Sequence, residues 1–239
     1  MTGNFHEIFL SGESECNKLT SSNFNEQLTF FDKSLTFFLD LIQSAKTERK
    51  DTLQEGSILL LNLRIFTSLF CASNLIKSGY YHEAAIIQRN VQESLYLCKY
   101  LDKNPDSAKT WIKGKIERSE ITGDLNLPKG TKELYNDLSG HVHPNLASIL
   151  DVLTYEKRDD NSQKYAAGAH LGSIFNFDTA YTSIIIQLLL VQMAIDNFST
   201  FFKSHNWIED TETLQRCHDA LHEKYFKIFG SWVEYTNRE

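Results

Sequence analysis

Ser57-Ile58-Leu59-Leu60-Leu61-Asn62-Leu63-Arg64-Ile65-Phe66-Thr67-Ser68-Leu69-Phe70-Cys71-Ala72-Ser73-Asn74-Leu75-Ile76 contains a single charge, Arg64. A helix that is apolar nearly all round belongs in the middle of a bundle. The stretch therefore predicts a central helix over about 52–78. Gly79 stands where a chain leaving a helix needs the left-handed conformation. A second helix follows over about 81–102, and so short a link makes the two antiparallel neighbours.

Working outward, a helix is expected over about 23–45. Asn23 would cap it, with Glu26 three residues on, and its apolar face would carry Phe30, Phe31, Phe37, Phe38, Leu41 and Ile42. Asn104-Pro105 reads as the cap and first position of a helix carrying Trp111, Ile112 and Ile116. Lys109, Lys113, Lys115 and Arg118 lie on its wet side. A loop over 123–130 leads to a short helix from Thr131 to near Gly140, and Pro144 opens another that fades by Tyr155. The polar segment at about 157–168 is expected to be a mobile loop. Long helices then cover about 174–203 and 211–230. No repeat or linker interrupts the pattern. Residues 1–239 are expected to form a single all-α domain, a helical bundle of about seven to nine helices with long antiparallel neighbours. No sheet of three or more strands is expected.

The net charge of −7 argues against a protein that coats nucleic acid non-specifically, which needs clustered Lys and Arg. Cys16, Cys71, Cys98 and Cys217 are widely spaced and read as reduced core residues, which suits a cytoplasmic chain. The first residues show no basic segment followed by an apolar run, so no secretory signal is expected. The apolar run 183–195 is broken by Gln187 and Gln192 and flanked by Asp178 and Asp196. It is expected to be a buried helix rather than a span of ~20 apolar residues, with no membrane partner.

Three groups of residues carry possible chemistry. Arg64 cannot shed its charge, so in a central helix it needs a carboxylate, a carbonyl or an anionic ligand. Arg89 and Glu93 sit four apart on the next helix. One reading is a buried Arg64–Glu93 bridge that sets helix register; the other is a polar pocket between the two central helices. His141 and His143 precede Pro144, where a helix N-terminus favours an anion. A histidine there binds the anion or acts as acid or base near neutral pH; alternatively one histidine caps backbone groups and the other is exposed. If there is a reactive site, His143, Arg89 and Glu93 are its expected catalytic residues, with Arg64 and His141 as ligand contacts. His218 and His222, four apart, would need His205 or Asp210 to complete a metal site. They read more simply as border residues of an amphipathic helix, and no metal or cofactor is expected. No Gly-rich phosphate loop, nucleophile elbow or paired-cysteine zinc pattern is present.

Gly79-Tyr80, then Arg89 and Glu93, Tyr96 and Tyr100, Trp111, Tyr135 through Ser139, and His143-Pro144 form an ordered series. Over about residues 55–150 it resembles a mostly bacterial, all-helical domain of unknown function. The resemblance implies a helical fold and brings no established activity. More loosely the chain is similar to HEPN domains, helical folds that include ribonucleases of toxin and phage-defence systems. Their mark is Arg, a polar residue, three variable residues, then His. Here Arg89-Asn90-Val91-Gln92-Glu93-Ser94 has Ser in the place of His, and Asn136 through His141 has the His without the Arg.

Two functions follow as expectations. One is a helical binding or interaction domain with an anion or nucleotide pocket, its partner another protein or a second copy, with nucleotide or RNA as the ligand. The other is a HEPN-like ribonuclease or nucleotide-acting enzyme. An interaction role requires the polar pairs to satisfy one another, closed to solvent, and a sizeable apolar surface to be open; an anion or nucleotide pocket, with or without enzymatic action, requires Arg89, Glu93 and His143, joined by Arg64, to converge on one accessible volume.

Overall fold

A computed structural model describes residues 5–45, 52–126, 129–142, 153–157, 165–169 and 173–204, and, towards the C-terminus, 216, 219–220 and 223–228. The described helices are α1 (Phe5–Asn23), α2 (Asn25–Ser44), α3 (Leu53–Lys77), α4 (Tyr81–Lys103), α5 (Ser107–Ile112), α6 (Arg118–Leu125), α7 (Lys129–Val142) and α8 (Phe177–Ser204). The all-α bundle expected from the periodicity is what the chain forms.

Helix α3 begins at a capping box. Thr52 Oγ1 accepts from Glu55 N at 3.2 Å, and Glu55 Oε2 accepts from Thr52 N at 3.2 Å. It ends in a Schellman turn: Tyr80 N bonds Leu75 O at 2.9 Å and Gly79 N bonds Ile76 O at 3.1 Å. Gly79 sits at φ +80°, and a Cβ there would lie 2.9 Å from both Cys16 Sγ and Ile174 O. Only glycine meets both demands. The turn reverses the chain, and Gln54 at the start of α3 donates to Leu101 O at 2.8 Å at the end of α4. α3 and α4 are thus an antiparallel pair, as the short link predicts.

Ile58, Leu61, Ile65, Leu69, Ala72 and Ile76 make the buried face of α3. α8 lies across this pair and also packs on α2. Its Gln187 donates to Leu69 O at 2.6 Å and accepts from Gln88 Nε2 at 3.0 Å, while Gln88 also donates to Ser183 O at 2.9 Å. Two buried amides therefore tie α3, α4 and α8 at one level. The stretch Phe177–Phe201 is longer than the apolar run read from the sequence. It is long and apolar enough to cross a membrane, as is Leu53–Lys77. The most apolar part of the former is 67% buried within the bundle, which suits a core helix.

Several local expectations are corrected. A helix precedes residue 23, and Asn23 ends it rather than capping the next one: its Nδ2 donates to Leu19 O at 2.8 Å. Asn104 likewise donates back to Tyr100 O at 3.1 Å, and α5 starts three residues later. Gly123 lies inside α6 instead of opening a loop. Residues 153–155, expected at the end of a helix, and 157 and 165–168, expected in a loop, belong to an antiparallel hairpin, Leu153–Lys157 (β1) with Tyr165–Ala169 (β2), in which Tyr155 pairs with Ala167; the rest of that helix and loop, 144–152 and 158–164, lies outside the described residues. Cys16 and Cys98 are buried and free as expected, but Cys71 is exposed; Cys217 lies outside the described residues. Burial pushes the Cys98 thiol up to about 12, so it stays protonated.

Gly79→Ala is expected to cost at least ~1–3 kcal/mol from backbone strain alone, read from urea melts. A change below about 0.5 kcal/mol, typical of an unremarkable surface site, would mean that the α3–α4 turn is not tightly held.

Candidate functional site

Arg89 and Glu93 stand one turn apart on α4, and both reach Tyr135 of α7. Arg89 Nε donates to Tyr135 Oη at 2.9 Å, and Arg89 Nη2 donates to the same oxygen. Tyr135 Oη donates to Glu93 Oε1 at 2.8 Å. The direct approach of Arg89 Nη2 to Glu93 Oε1 is longer, at 3.4 Å. The phenol is therefore the bridge, with its one proton and both lone pairs in use. Tyr135 is buried, and its carbonyl accepts from Ser139 Oγ at 2.6 Å. Arg89 is 13% and Glu93 36% exposed, so the cluster sits at the edge of the core.

Arg118, at the first turn of α6, lies on the same ring. Its Cζ is 3.4 Å from the Tyr135 centroid, and that of Arg89 is 5.0 Å away. One tyrosine thus carries a guanidinium on its face and another at its hydroxyl edge, an arrangement that Lys does not reproduce. α6 is held to the end of α4 by Lys103 Nζ to Asp124 Oδ1 at 3.0 Å, Asn104 Nδ2 to Asp124 Oδ2 at 3.1 Å, and Tyr100 Oη to Glu120. The Lys103 ammonium holds the Asp124 carboxyl below its usual range. Nearby, Gln92 Nε2 donates to Tyr96 Oη at 2.6 Å. Burial pushes Tyr96 up to about 12 against the pull of Gln92 and Arg118, so it is neutral at physiological pH.

The expected site residues separate. Arg89 and Glu93 come together, though through Tyr135. Arg64 does not join them. It is exposed on α3, with no hydrogen bond or ion pair among the described residues. The expected burial of Arg64 against Glu93 is therefore overturned: α3 buries the opposite face, and Glu93 is engaged by α7. His141 falls within α7, with its side chain outside what is described, and His143, His205, Asp210, His218 and His222 lie outside the described residues. Among the described residues no group of three or more His, Cys, Asp or Glu is placed to hold a metal. Ser94, where the HEPN mark calls for His, donates to Asn90 O at 2.8 Å within its own helix.

Arg118, on the wet side of its expected helix, and Tyr135, marked only as part of the ordered series, are the members of this cluster that the sequence pattern does not single out. The usable signal was Tyr135-x-x-x-Ser139, where a serine can bond back to the carbonyl four residues earlier on a helix carrying a buried phenol. Comparison with protein-family models, with curated proteins and with solved structures finds no match.

Tyr135→Phe keeps the ring and removes the bridging hydroxyl. It is expected to cost about 1–3 kcal/mol, because Arg89 and Glu93 lose a shared partner at a partly desolvated site. Arg64→Ala is expected to change stability by less than about 0.5 kcal/mol. Urea melts of the two variants check both; a larger loss for Arg64→Ala than for Tyr135→Phe would reverse the assignment.

Proposed function

We propose that this chain is a non-enzymatic helical interaction domain that receives an amphipathic helix of another protein on the outer face of α3. The observation that carries the reading is a strip of uncovered apolar side chains: Leu53 is 52%, Leu60 64%, Leu63 40% and Phe70 54% exposed. Their spacings of seven, three and seven residues follow the a and d positions of a heptad, the pattern by which one helix takes another's knobs into its holes. Contiguous apolar surface of this kind on a folded domain marks a contact site, and helix-in-groove recognition uses this spacing of anchors. The engagement of Arg89 and Glu93 with Tyr135 supports the reading from the other direction. Those bonds hold α7 on α4.

Charge selects the occupant. Arg64 is exposed at the flank of the strip, midway along α3. The sequence has no acidic residue between Glu55 and Glu83. Pairing α3 with α3 of a second copy would therefore bring guanidiniums together with no carboxylate between them. A lipid bilayer suits the strip no better, since a mid-helix Arg costs about 2.5–3.5 kcal/mol there. The occupant that fits is a helix with an apolar seam and a carboxylate facing Arg64.

The test uses two designed amphipathic peptides with leucine seams, one with Glu and one with Lys at the position facing Arg64, titrated by fluorescence anisotropy. The Glu peptide is expected to bind wild type more tightly than the Lys peptide. Leu60→Asp should weaken it at least about tenfold, a loss of roughly 1.4 kcal/mol, and Arg64→Glu should invert the preference. Absence of peptide binding, a dimer in sedimentation that Leu60→Asp dissociates, co-sedimentation with anionic vesicles, or RNA cleavage lost in Arg89→Ala would each overturn the proposal.

A further inference from the structure

Independently of the α3 face, the Tyr135 cluster has the features of an anion site. We propose that Arg118 and Arg89 together bind a phosphate dianion against Tyr135, either free or as the monoester of a nucleotide.

Arg118 comes first. At 3.4 Å from the centroid its Cζ touches the ring face. A guanidinium so close must lie parallel to the ring, because turned edge-on it would drive its N–H groups into the ring carbons. Stacked flat, it directs its donors sideways, away from the tyrosine. Arg118 is exposed, and among the described residues it has no carboxylate and no hydrogen-bond acceptor. Its stacking fixes its orientation while its donors remain available.

Arg89 completes the pair. Nε and Nη2 are taken by Tyr135, which leaves Nη1, and the side chain is only 13% exposed. A donor with little water around it gains more from a charged acceptor than one in bulk solvent. The two guanidinium carbons are no farther apart than the sum of their distances to the ring centroid, 3.4 and 5.0 Å. One phosphate accepting charge-assisted bonds of about 2.8 Å from each bridges that interval.

The electrostatics point the same way. Two guanidiniums lie on the ring of Tyr135, and one carboxylate, Glu93, accepts from its hydroxyl. Arg118 opens α6, whose N-cap residue, Glu117, makes no side-chain capping bond. The first-turn amides add a partial positive charge at the same end. Glu117 opposes an anion from beside the site, and Ser119 Oγ donates to its Oε2 at 3.4 Å. A dianion with several acceptor oxygens matches two forks better than a single carboxylate does. A phosphodiester, with one charge, matches it less well.

Isothermal titration calorimetry of the full chain with inorganic phosphate, AMP, adenosine and the dinucleoside phosphate ApA tests this. Phosphate and AMP are expected to bind wild type with a Kd below about 1 mM, adenosine not at all, and ApA at least about tenfold more weakly than AMP. AMP tighter than phosphate identifies a nucleotide as the ligand, and equal affinities identify the free ion. Arg118→Ala, a change at an exposed position with folding checked by circular dichroism, should weaken phosphate binding at least tenfold. Arg118→Lys, which keeps the charge and loses the flat fork, should recover less than half of that loss. Leu60→Asp, which disables the α3 face, should leave phosphate binding unchanged. No binding of phosphate or AMP, adenosine or ApA equal to AMP, or equal binding by wild type and Arg118→Ala would each overturn the proposal.

Discussion

Two buried glutamines hold the bundle in register. Gln187 reaches across to the Leu69 carbonyl of α3 and meets Gln88 of α4, which in turn reaches the Ser183 carbonyl of α8. Apolar packing alone lets a helix rotate or slide by a residue at modest cost. A buried amide does not allow this, because an unmade hydrogen bond in the core costs about 1–3 kcal/mol. With these contacts made, α3 has one possible rotation: Ile58, Leu61, Ile65 and Leu69 face α4 and α8, and Leu60, Leu63, Arg64 and Phe70 face outward. The open apolar strip is thus a consequence of how the core is pinned.

The same rotation logic governs α4. Gln88, Val91, Leu95 and Cys98 are buried with α4's own inner face. Arg89 and Glu93 are carried to its flank, where α7 and α6 arrive. Tyr135 completes that flank by supplying a phenol that accepts from Arg89 and donates to Glu93. Arg118 then stacks on the outer side of the ring. The domain consequently presents two surfaces of different chemistry, an apolar seam on α3 and a pair of guanidiniums on the Tyr135 ring, where α4, α6 and α7 meet.

The central pair was legible in the sequence because several signals agreed there. The apolar run located α3, Gly79 marked its end, and the short link that follows dictated an antiparallel neighbour. What could not be read was the side of α3 left uncovered. An apolar run that continues all round a helix has no polar face to mark the outside, so Arg64 looked trapped when it is a marker of the open side. Asn23 and Asn104 misled for a different reason. An asparagine amide serves a helix start through its oxygen and a helix end through its nitrogen, and the residue type alone does not choose. For the cluster, the i,i+4 spacing of Arg89 and Glu93 was visible, but their common partner lies more than forty residues away in the chain and is joined to them only by the fold.

The outer face of α3 is uncovered in the free protein. Methyl NMR with a soluble gadolinium chelate measures this directly. Strong broadening of the Leu60 and Leu63 methyls is expected, while those of Leu61, Ile65 and Leu69, one turn-face away on the same helix, stay sharp. Equal protection of both sets would contradict it, because α3 would then already be enclosed and would have no seam to offer a partner.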